Sequence, residues 1–156
     1  MKNNFDTAFY MLMKIEGGLV DDKRDKGGLT KYGISQKAFP NLKIVDITLD
    51  QAKEIYRKHY WDACRCDDLP PSFDIAVFDS AVNQGPKTAV LMLQKALKIK
   101  DDGIIGEKTI NACKAAGEVE LRGFLLHRLF RYFQSSDFDH FGQGWFNRLV
   151  TVSEAI

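Results

Sequence analysis

The sequence lacks the features of membrane proteins and of disulfide-rich proteins. Apolar runs such as FLL and IAVF are far shorter than the ~18 residues of a membrane span, and the N-terminal stretch has no continuous apolar block typical of a signal peptide. Only three cysteines are present, Cys64, Cys66 and Cys113, so at least one is unpaired, which favours a reducing compartment. We therefore expect no stable membrane insertion and a protein that stays in the cytoplasm as synthesised.

The sequence also has little that would bind a metal, a nucleotide or a nucleic acid. Cys64 and Cys66 miss the C-x-x-C spacing of zinc sites, and the histidines His59, His127 and His140 stand far apart. Phosphate-loop and dinucleotide glycine patterns are missing, and the formal charge of +1 gives no reason to expect nucleic acid as a partner. We expect no metal and no cofactor.

Apolar periodicity predicts a mainly α fold with one compact core. At 156 residues the chain has the length of a single domain. Thr48 and Gln51 stand in the capping-box relation at the start of one helix. Glycine pairs in the stretch 17–34 predict turns around a small β-hairpin near the N-terminus instead of a helix. Helices are predicted over 5–16, 48–61, 72–85, 87–99, 107–117, 119–134 and 144–156.

The most informative stretch is EGGLVDDKRDKGGLTKYGIS, residues 16–35. Glu16 closes the first predicted helix, where the negative end of the helix dipole disfavours the ionised carboxylate and raises its pKa. A carboxylic acid held neutral is what a glycosidase needs to protonate a leaving oxygen, and a second carboxylate must then stabilise charge or activate water. Asp25 is the candidate for that second group, with Asp21 and Asp22 as alternatives.

The pattern E-G-G-x-x-x-x-x-x-D-x-G-G-x-T-x-Y-G-I, from Glu16 to Ile34, resembles the signature of the glycoside hydrolase family 108 N-acetylmuramidases. This family includes phage-type endolysins and proteins described as secretion activators. The blocks YRKHYWD, FDSAVNQG and LQKALKIKDDGIIGEKT resemble later parts of the family, so the resemblance covers most of the chain. One departure is Leu19, where the family usually has an aromatic residue.

The resemblance implies a lysozyme-like catalytic part over residues 1–85 and a helical part over 86–156 that resembles a peptidoglycan-binding module, packed together in one globular unit. It implies that Glu16, Asp25 and Thr30 are catalytic. The expected activity is that of a lysozyme-type muramidase, which cuts the β-1,4 bond between N-acetylmuramic acid and N-acetylglucosamine in the glycan strands of peptidoglycan. The distance between the carboxyl groups decides between inversion and retention at the anomeric carbon.

Three further residues are candidates for binding the glycan. Tyr32 follows the signature threonine and forms either a cleft wall or part of the core. Asp79 and Asn83 lie one helical turn apart on one face, where an amide could bond the acetyl or hydroxyl groups of a sugar. Asn83 also stands at a predicted helix C-terminus, which is a structural alternative for it.

Other interpretations of the chain stay open at the level of sequence. A lytic transglycosylase would use Glu16 alone and form anhydro ends, and a non-catalytic cell-wall binder or secretion regulator would keep the glycan groove without turnover. The helix around LRGFLLHRLFRYF is interpreted as apolar on one side, with Arg122, Arg128 and Arg131 on the other. Access to the cell wall would need a holin-type pore or another export route, and the oligomeric state is not predicted.

Overall fold

The computed structural model describes residues 4–16 and 29–156, and the side chain of Glu16 lies outside the described part. Within these ranges the chain is mainly α-helical with one antiparallel hairpin, as the sequence predicts. The helices are α1 (Asn4–Glu16), α2 (Leu49–Tyr56), α3 (Phe73–Gln84), α4 (Pro86–Ala96), α5 (Glu107–Lys114), α6 (Glu118–Phe133) and α7 (Phe138–Ala155). Short 3-10 turns cover Ile44–Asp46 and Cys66–Asp68, and a π-helical turn covers Arg57–Trp61.

Helix α3 is the centre of the molecule. Every residue from Phe73 to Ala81 is buried, so this helix has no solvent-facing stripe. Such a helix is surrounded by other elements, and α3 packs against α1, α4, α6 and α7. It ends at Gln84, and Gly85 then adopts a positive φ of 91° that turns the chain directly into α4. The two predicted helices on either side of Gly85 are confirmed.

An aromatic cluster joins α1 and the π-helical turn to the central helix. The Phe5 ring lies 5.3 Å from the Trp61 ring and 5.8 Å from the Phe78 ring, both edge to face. Phe9 and Tyr56 extend the cluster with ring centroids 5.8 Å apart. Aromatic pairs at these spacings add to the free energy gained from burial. The cluster fixes the direction of α1, and therefore the place where α1 ends.

The structure confirms the predicted small β-hairpin, which has only two residues in each strand. Thr30–Lys31 pairs with Ile34–Ser35, and the connection is the dipeptide Tyr32-Gly33. Tyr32 has φ 52° and Gly33 has φ 76°, which is the backbone of a type I′ turn that matches the twist of paired strands. The Tyr56 hydroxyl donates a 2.9 Å hydrogen bond to the Tyr32 carbonyl, so α2 holds this turn in place. Asp25, expected near this hairpin, lies outside the described residues.

The connection between α4 and α5 is organised by one buried amide. Gln94 Nε2 donates to Asp102 Oδ1 at 2.9 Å and to the Ile104 carbonyl at 3.0 Å, and the Gly103 amide donates to Gln94 Oε1 at 2.8 Å. Gly103 has φ 74°, as the turn requires. The block LQKALKIKDDGIIGEKT is therefore a helix, a tight turn and a helix tied to the core by Gln94.

Two details of the C-terminal helices differ from the sequence-based expectation. Helix α7 begins at Phe138 instead of Gly144. Gly142 therefore lies inside the helix, where the absence of a side chain allows the Phe138 ring to pack closely. In α6, Arg128 is fully buried, and Leu126 and Phe130 are exposed on the surface. The interpretation that placed Arg128 on the polar side of α6 is wrong. No helix within residues 4–16 and 29–156 is long and apolar enough to cross a membrane.

Candidate functional site

A cleft of about 350 Å³ opens where α1, the hairpin, α3 and α7 meet. Gly33 of the hairpin turn forms one edge, and Ile15, the residue before Glu16, forms another. We call this space the central cleft. It is lined by Ile15, Gly33, Tyr56, Tyr60, Val82, Asn83, Gly144, Trp145 and Arg148. The lining comes from both halves of the chain, so neither half forms the cleft alone.

Of the predicted catalytic residues, the structure describes Thr30 and the backbone of Glu16, whereas Asp25 and the side chain of Glu16 lie outside the described residues. Glu16 is the last residue of α1, next to a residue that lines the cleft. Thr30 lies on the first hairpin strand and is half-buried, and the half-buried Tyr32 occupies the hairpin turn beside Gly33. Lys31 donates from Nζ to the Val45 carbonyl at 2.7 Å and fixes the hairpin against the following loop.

Asp79 lies beneath the cleft, with its carboxylate fully buried between two arginines. Arg128 Nη2 is 2.6 Å from Asp79 Oδ2. Arg148 approaches the same carboxylate with Nε at 3.0 Å and Nη2 at 2.9 Å from Oδ1. Buried ions require this kind of pairing, because burying a lone charge is costly. Asp79 has no surface that a glycan could touch, so direct substrate contact, as expected from the sequence, does not fit this geometry.

A chain of hydrogen bonds connects this ion-pair network to Asn83. Arg128 Nε donates to the Tyr132 hydroxyl at 2.7 Å, and that hydroxyl donates to Asn83 Oδ1 at 2.6 Å. An arginine can only donate, so the proton of the tyrosine must point to the amide oxygen. Burial raises the pKa of Tyr132, which keeps the hydroxyl protonated. Asn83 is thereby oriented with its Oδ1 toward Tyr132 and its Nδ2 as the group it can offer elsewhere.

Two further hollows flank the central cleft, one on each side. Asn83 and Trp145 also line a neighbouring space of about 420 Å³ that ends at Arg131 and Gln134 on α6 and its C-terminal end. The Trp145 ring stacks on the Tyr132 ring with centroids 5.1 Å apart and an angle of 23° between the planes. Two neighbouring hollows that share an aromatic wall and amide groups are suited to an extended, uncharged polymer such as a glycan.

On the other side, Tyr60 separates the central cleft from a larger hollow of about 1000 Å³, which we call the side pocket. The side pocket lies between the loop of residues 38–43 and the face formed by α2 and the π-helical turn. Tyr60 is part of that π-helical turn. Such turns interrupt regular α-helical register and often occur at functional sites.

The matches to known proteins agree with this arrangement. Residues 9–85 match the family described as Glycosyl hydrolase 108, and residues 88–150 match the family described as Predicted Peptidoglycan domain. Among solved structures, SagA of Brucella abortus is similar at 34% sequence identity and a TM-score of 0.88, with 99% of this chain and 95% of that chain covered. The chain belongs to glycosyl hydrolase family 108. A comparison with curated protein sequences found no match.

Membership of family 108, together with the peptidoglycan domain, makes this chain a glycoside hydrolase that acts on peptidoglycan. The two matched regions meet at the central cleft, because Asn83 and Gly33 lie in the first region while Trp145 and Arg148 lie in the second. The peptidoglycan domain of this family 108 protein is therefore a wall of the same cleft.

The sequence-based interpretation missed Arg128, Arg148 and Tyr132. A signal for them exists in the helical periodicity. Arg128 stands four residues from each of two buried residues of α6, Phe124 and Tyr132, and Arg148 stands four residues before the buried Val152 of α7. A charged residue on the buried stripe of a helix needs a buried partner of opposite charge. Here that partner is Asp79.

Proposed function

We propose that this family 108 hydrolase is an N-acetylmuramidase that cuts the β-1,4 bond between N-acetylmuramic acid and N-acetylglucosamine, with Glu16 as its general acid. The observation that carries the proposal is the end of α1 at Glu16, one residue after Ile15 in the wall of the central cleft. A carboxyl group at the C-terminal end of a helix faces the negative end of the helix dipole, which favours the neutral acid. A neutral acid can protonate the oxygen of the leaving sugar.

Asp25 and Thr30 complete the proposed chemistry. Departure of the leaving sugar creates an oxocarbenium-like centre that water must attack. Asp25 orients or activates this water, and Thr30 supplies a hydroxyl group beside it. The place of Thr30 on the short hairpin, two residues before the turn that lines the cleft, supports its part in the proposal.

Substrate contacts are assigned to the groups that reach the cleft. Asn83 offers its Nδ2 to the acetyl or hydroxyl oxygens of a sugar, because Tyr132 occupies its Oδ1. Arg148 lines the cleft and is held by Asp79. Tyr32 is proposed as a further wall residue because it precedes Gly33, which lines the cleft, in the hairpin turn. Asp79 itself is a positioning residue in this proposal, since it acts through the two arginines.

The ends of the products test the proposal. Purified peptidoglycan is digested with the wild type, the fragments are reduced with borohydride, and mass spectrometry identifies the reduced sugar. A muramidase leaves reduced muramic acid at the new ends. Reduced glucosamine ends would contradict the assigned bond, and anhydro ends that persist in Asp25→Asn would identify a lytic transglycosylase. Binding of peptidoglycan without any released fragment would contradict enzymatic activity altogether.

A further inference from the structure

The loop that forms one wall of the side pocket is organised by the side chain of Gln36. Gln36 Nε2 donates to the carbonyl groups of Phe39, Pro40 and Leu42 at 3.2, 3.1 and 2.8 Å, and so folds the loop that forms one wall. The Phe39 ring meets the His59 ring of the π-helical turn edge to face at 5.2 Å, which closes the loop against the opposite wall. The hollow is thus a formed feature of the fold, with a volume at the upper end of the range of about 300–1000 Å³ for small-ligand sites.

The side pocket carries charges of both signs over an apolar floor. Lys43 comes from the loop and Lys58 from the π-helical turn, and both are exposed. Neither ammonium group forms an ion pair within residues 4–16 and 29–156. Asp46 and Glu54 supply carboxylates to the same lining, and the buried Ile47 contributes to its apolar surface. Lysines that form no ion pair with the described residues are suited to bind carboxylates of a ligand.

We propose that the side pocket binds the peptide stem of the peptidoglycan strand that occupies the central cleft, and this inference rests on the proposed muramidase function. The stem is attached to the lactyl group of muramic acid, so it leaves the glycan within one sugar of the bond that is cut. Tyr60 lies between the central cleft and the side pocket and lines both, so the two spaces are direct neighbours. A stem carries several carboxylates and commonly an amino group, which match Lys43, Lys58, Asp46 and Glu54.

The test compares two substrates that differ in the stem and in the lactyl carboxylate that hydrolysis of the stem exposes. One is peptidoglycan with intact stems, and the other is the same glycan after an amidase has removed them. We expect the wild type to cut stemmed strands with the higher kcat/KM. In the double variant Lys43→Ala/Lys58→Ala, the ratio of stemmed to stripped kcat/KM should fall about fivefold to tenfold, as expected for two ion pairs at a partly exposed site. The control Lys37→Ala/Lys100→Ala removes the same charge outside the pocket lining and should leave the ratio unchanged.

The outcomes separate this inference from the proposed function on which it rests. An equal kcat/KM of the wild type on both substrates would overturn stem binding and leave the muramidase standing. A ratio that falls as much in the control as in the pocket variant would also overturn it, since net charge would then explain the effect. If the wild type cleaves neither substrate, the proposed function and this inference are both contradicted.

Discussion

At the scale of single residues, the central feature is the carboxylate of Asp79, which is buried beneath the cleft and pairs with two arginines. The spacing of Asp79 and Asn83 on α3 correctly places them on one face of one helix, but spacing alone does not show that α6 and α7 supply Arg128 and Arg148. Only the tertiary contacts of α3 with α6 and α7 bring these arginines to Asp79. The link from Asp79 to Asn83 runs through Arg128 and Tyr132, so a buried charge orients an amide in the cleft.

Removal of the Asp79 charge should destabilise the protein strongly. We expect Asp79→Ala to lower the free energy of unfolding by about 3–5 kcal/mol, because two arginines lose their buried counterion. Chemical denaturation measures this. Asp101→Asn is the matched control, since Asp101 is exposed and its nearest cation, Lys95, is 3.8 Å away, and it should change stability by less than about 1 kcal/mol. Equal effects of the two substitutions would contradict the structural role of Asp79.

Loss of the Tyr132 hydroxyl should weaken substrate binding. In Tyr132→Phe the ring can still stack on Trp145, but Asn83 Oδ1 and Arg128 Nε lose their partner. We expect a stability loss of about 1–3 kcal/mol and a rise in KM for peptidoglycan that exceeds any change in kcat. Tyr10→Phe on the exposed surface of α1 is the control. An unchanged KM in Tyr132→Phe would show that the orientation of Asn83 is not used in binding.

At the scale of elements, periodicity predicts helices well and their ends less well. The capping box of Thr48 and Gln51 at the start of α2 is confirmed, with hydrogen bonds of 3.2 and 2.9 Å. The sequence predicts the start of α7 too late, because glycine is a poor helix former. In the structure Gly142 lies inside α7, where the absence of a side chain leaves room for the Phe138 ring. The hairpin was predicted, but the Tyr32-Gly33 turn was not, because tyrosine rarely adopts a positive φ.

The first turn of α3 holds a carboxylate whose titration affects stability. Burial raises the pKa of Asp74, despite hydrogen bonds from Asn4 and from the Ile75 amide. The folded protein therefore holds this proton to higher pH than the unfolded chain does. The corresponding stability is complete below the ordinary aspartate pKa and is lost as pH rises through the raised folded pKa.

Asp74→Asn removes this titration, and Asn4 can rotate its amide to keep the hydrogen bond. We expect the variant to gain stability relative to the wild type as the pH rises from about 4 to 7, the range over which a carboxyl group with a raised pKa loses its proton. Thermal unfolding over a pH series checks this. Asp50→Asn, which changes an exposed carboxylate of α2, is the control. A difference between Asp74→Asn and wild type that shrinks with rising pH would contradict the assignment.

At the scale of the whole molecule, the two family regions share a core and a cleft. The buried cluster includes Phe9 and Phe78 from the first region together with Phe124 and Val152 from the second half of the chain. The signature from Glu16 to Ile34, which resembles that of family 108, was recognisable in sequence because it lies in one contiguous stretch. The opposite wall of the cleft was not, because Trp145 and Arg148 are more than a hundred residues further along the chain.

Separation of the halves should therefore abolish folding. The fragment 1–85 loses the partners of α3 on α4, α6 and α7, and leaves Asp79 without either arginine. We expect no cooperative thermal transition for this fragment, whereas the full chain unfolds cooperatively. Circular dichroism measures both. A fragment 1–85 that melts cooperatively and cuts peptidoglycan would show that the second region is an independent module.

The rate of muropeptide release by Glu16→Gln tests the role of Glu16 most directly. We expect a fall in kcat of about 10²–10⁴-fold, as for the removal of a general acid, with retained binding to insoluble peptidoglycan and an unchanged melting temperature. Glu154→Gln, an exposed change near the end of α7, should keep the wild-type rate. A Glu16→Gln protein that releases muropeptides at close to the wild-type rate would contradict the central claim that the acid at the end of α1 breaks the glycosidic bond.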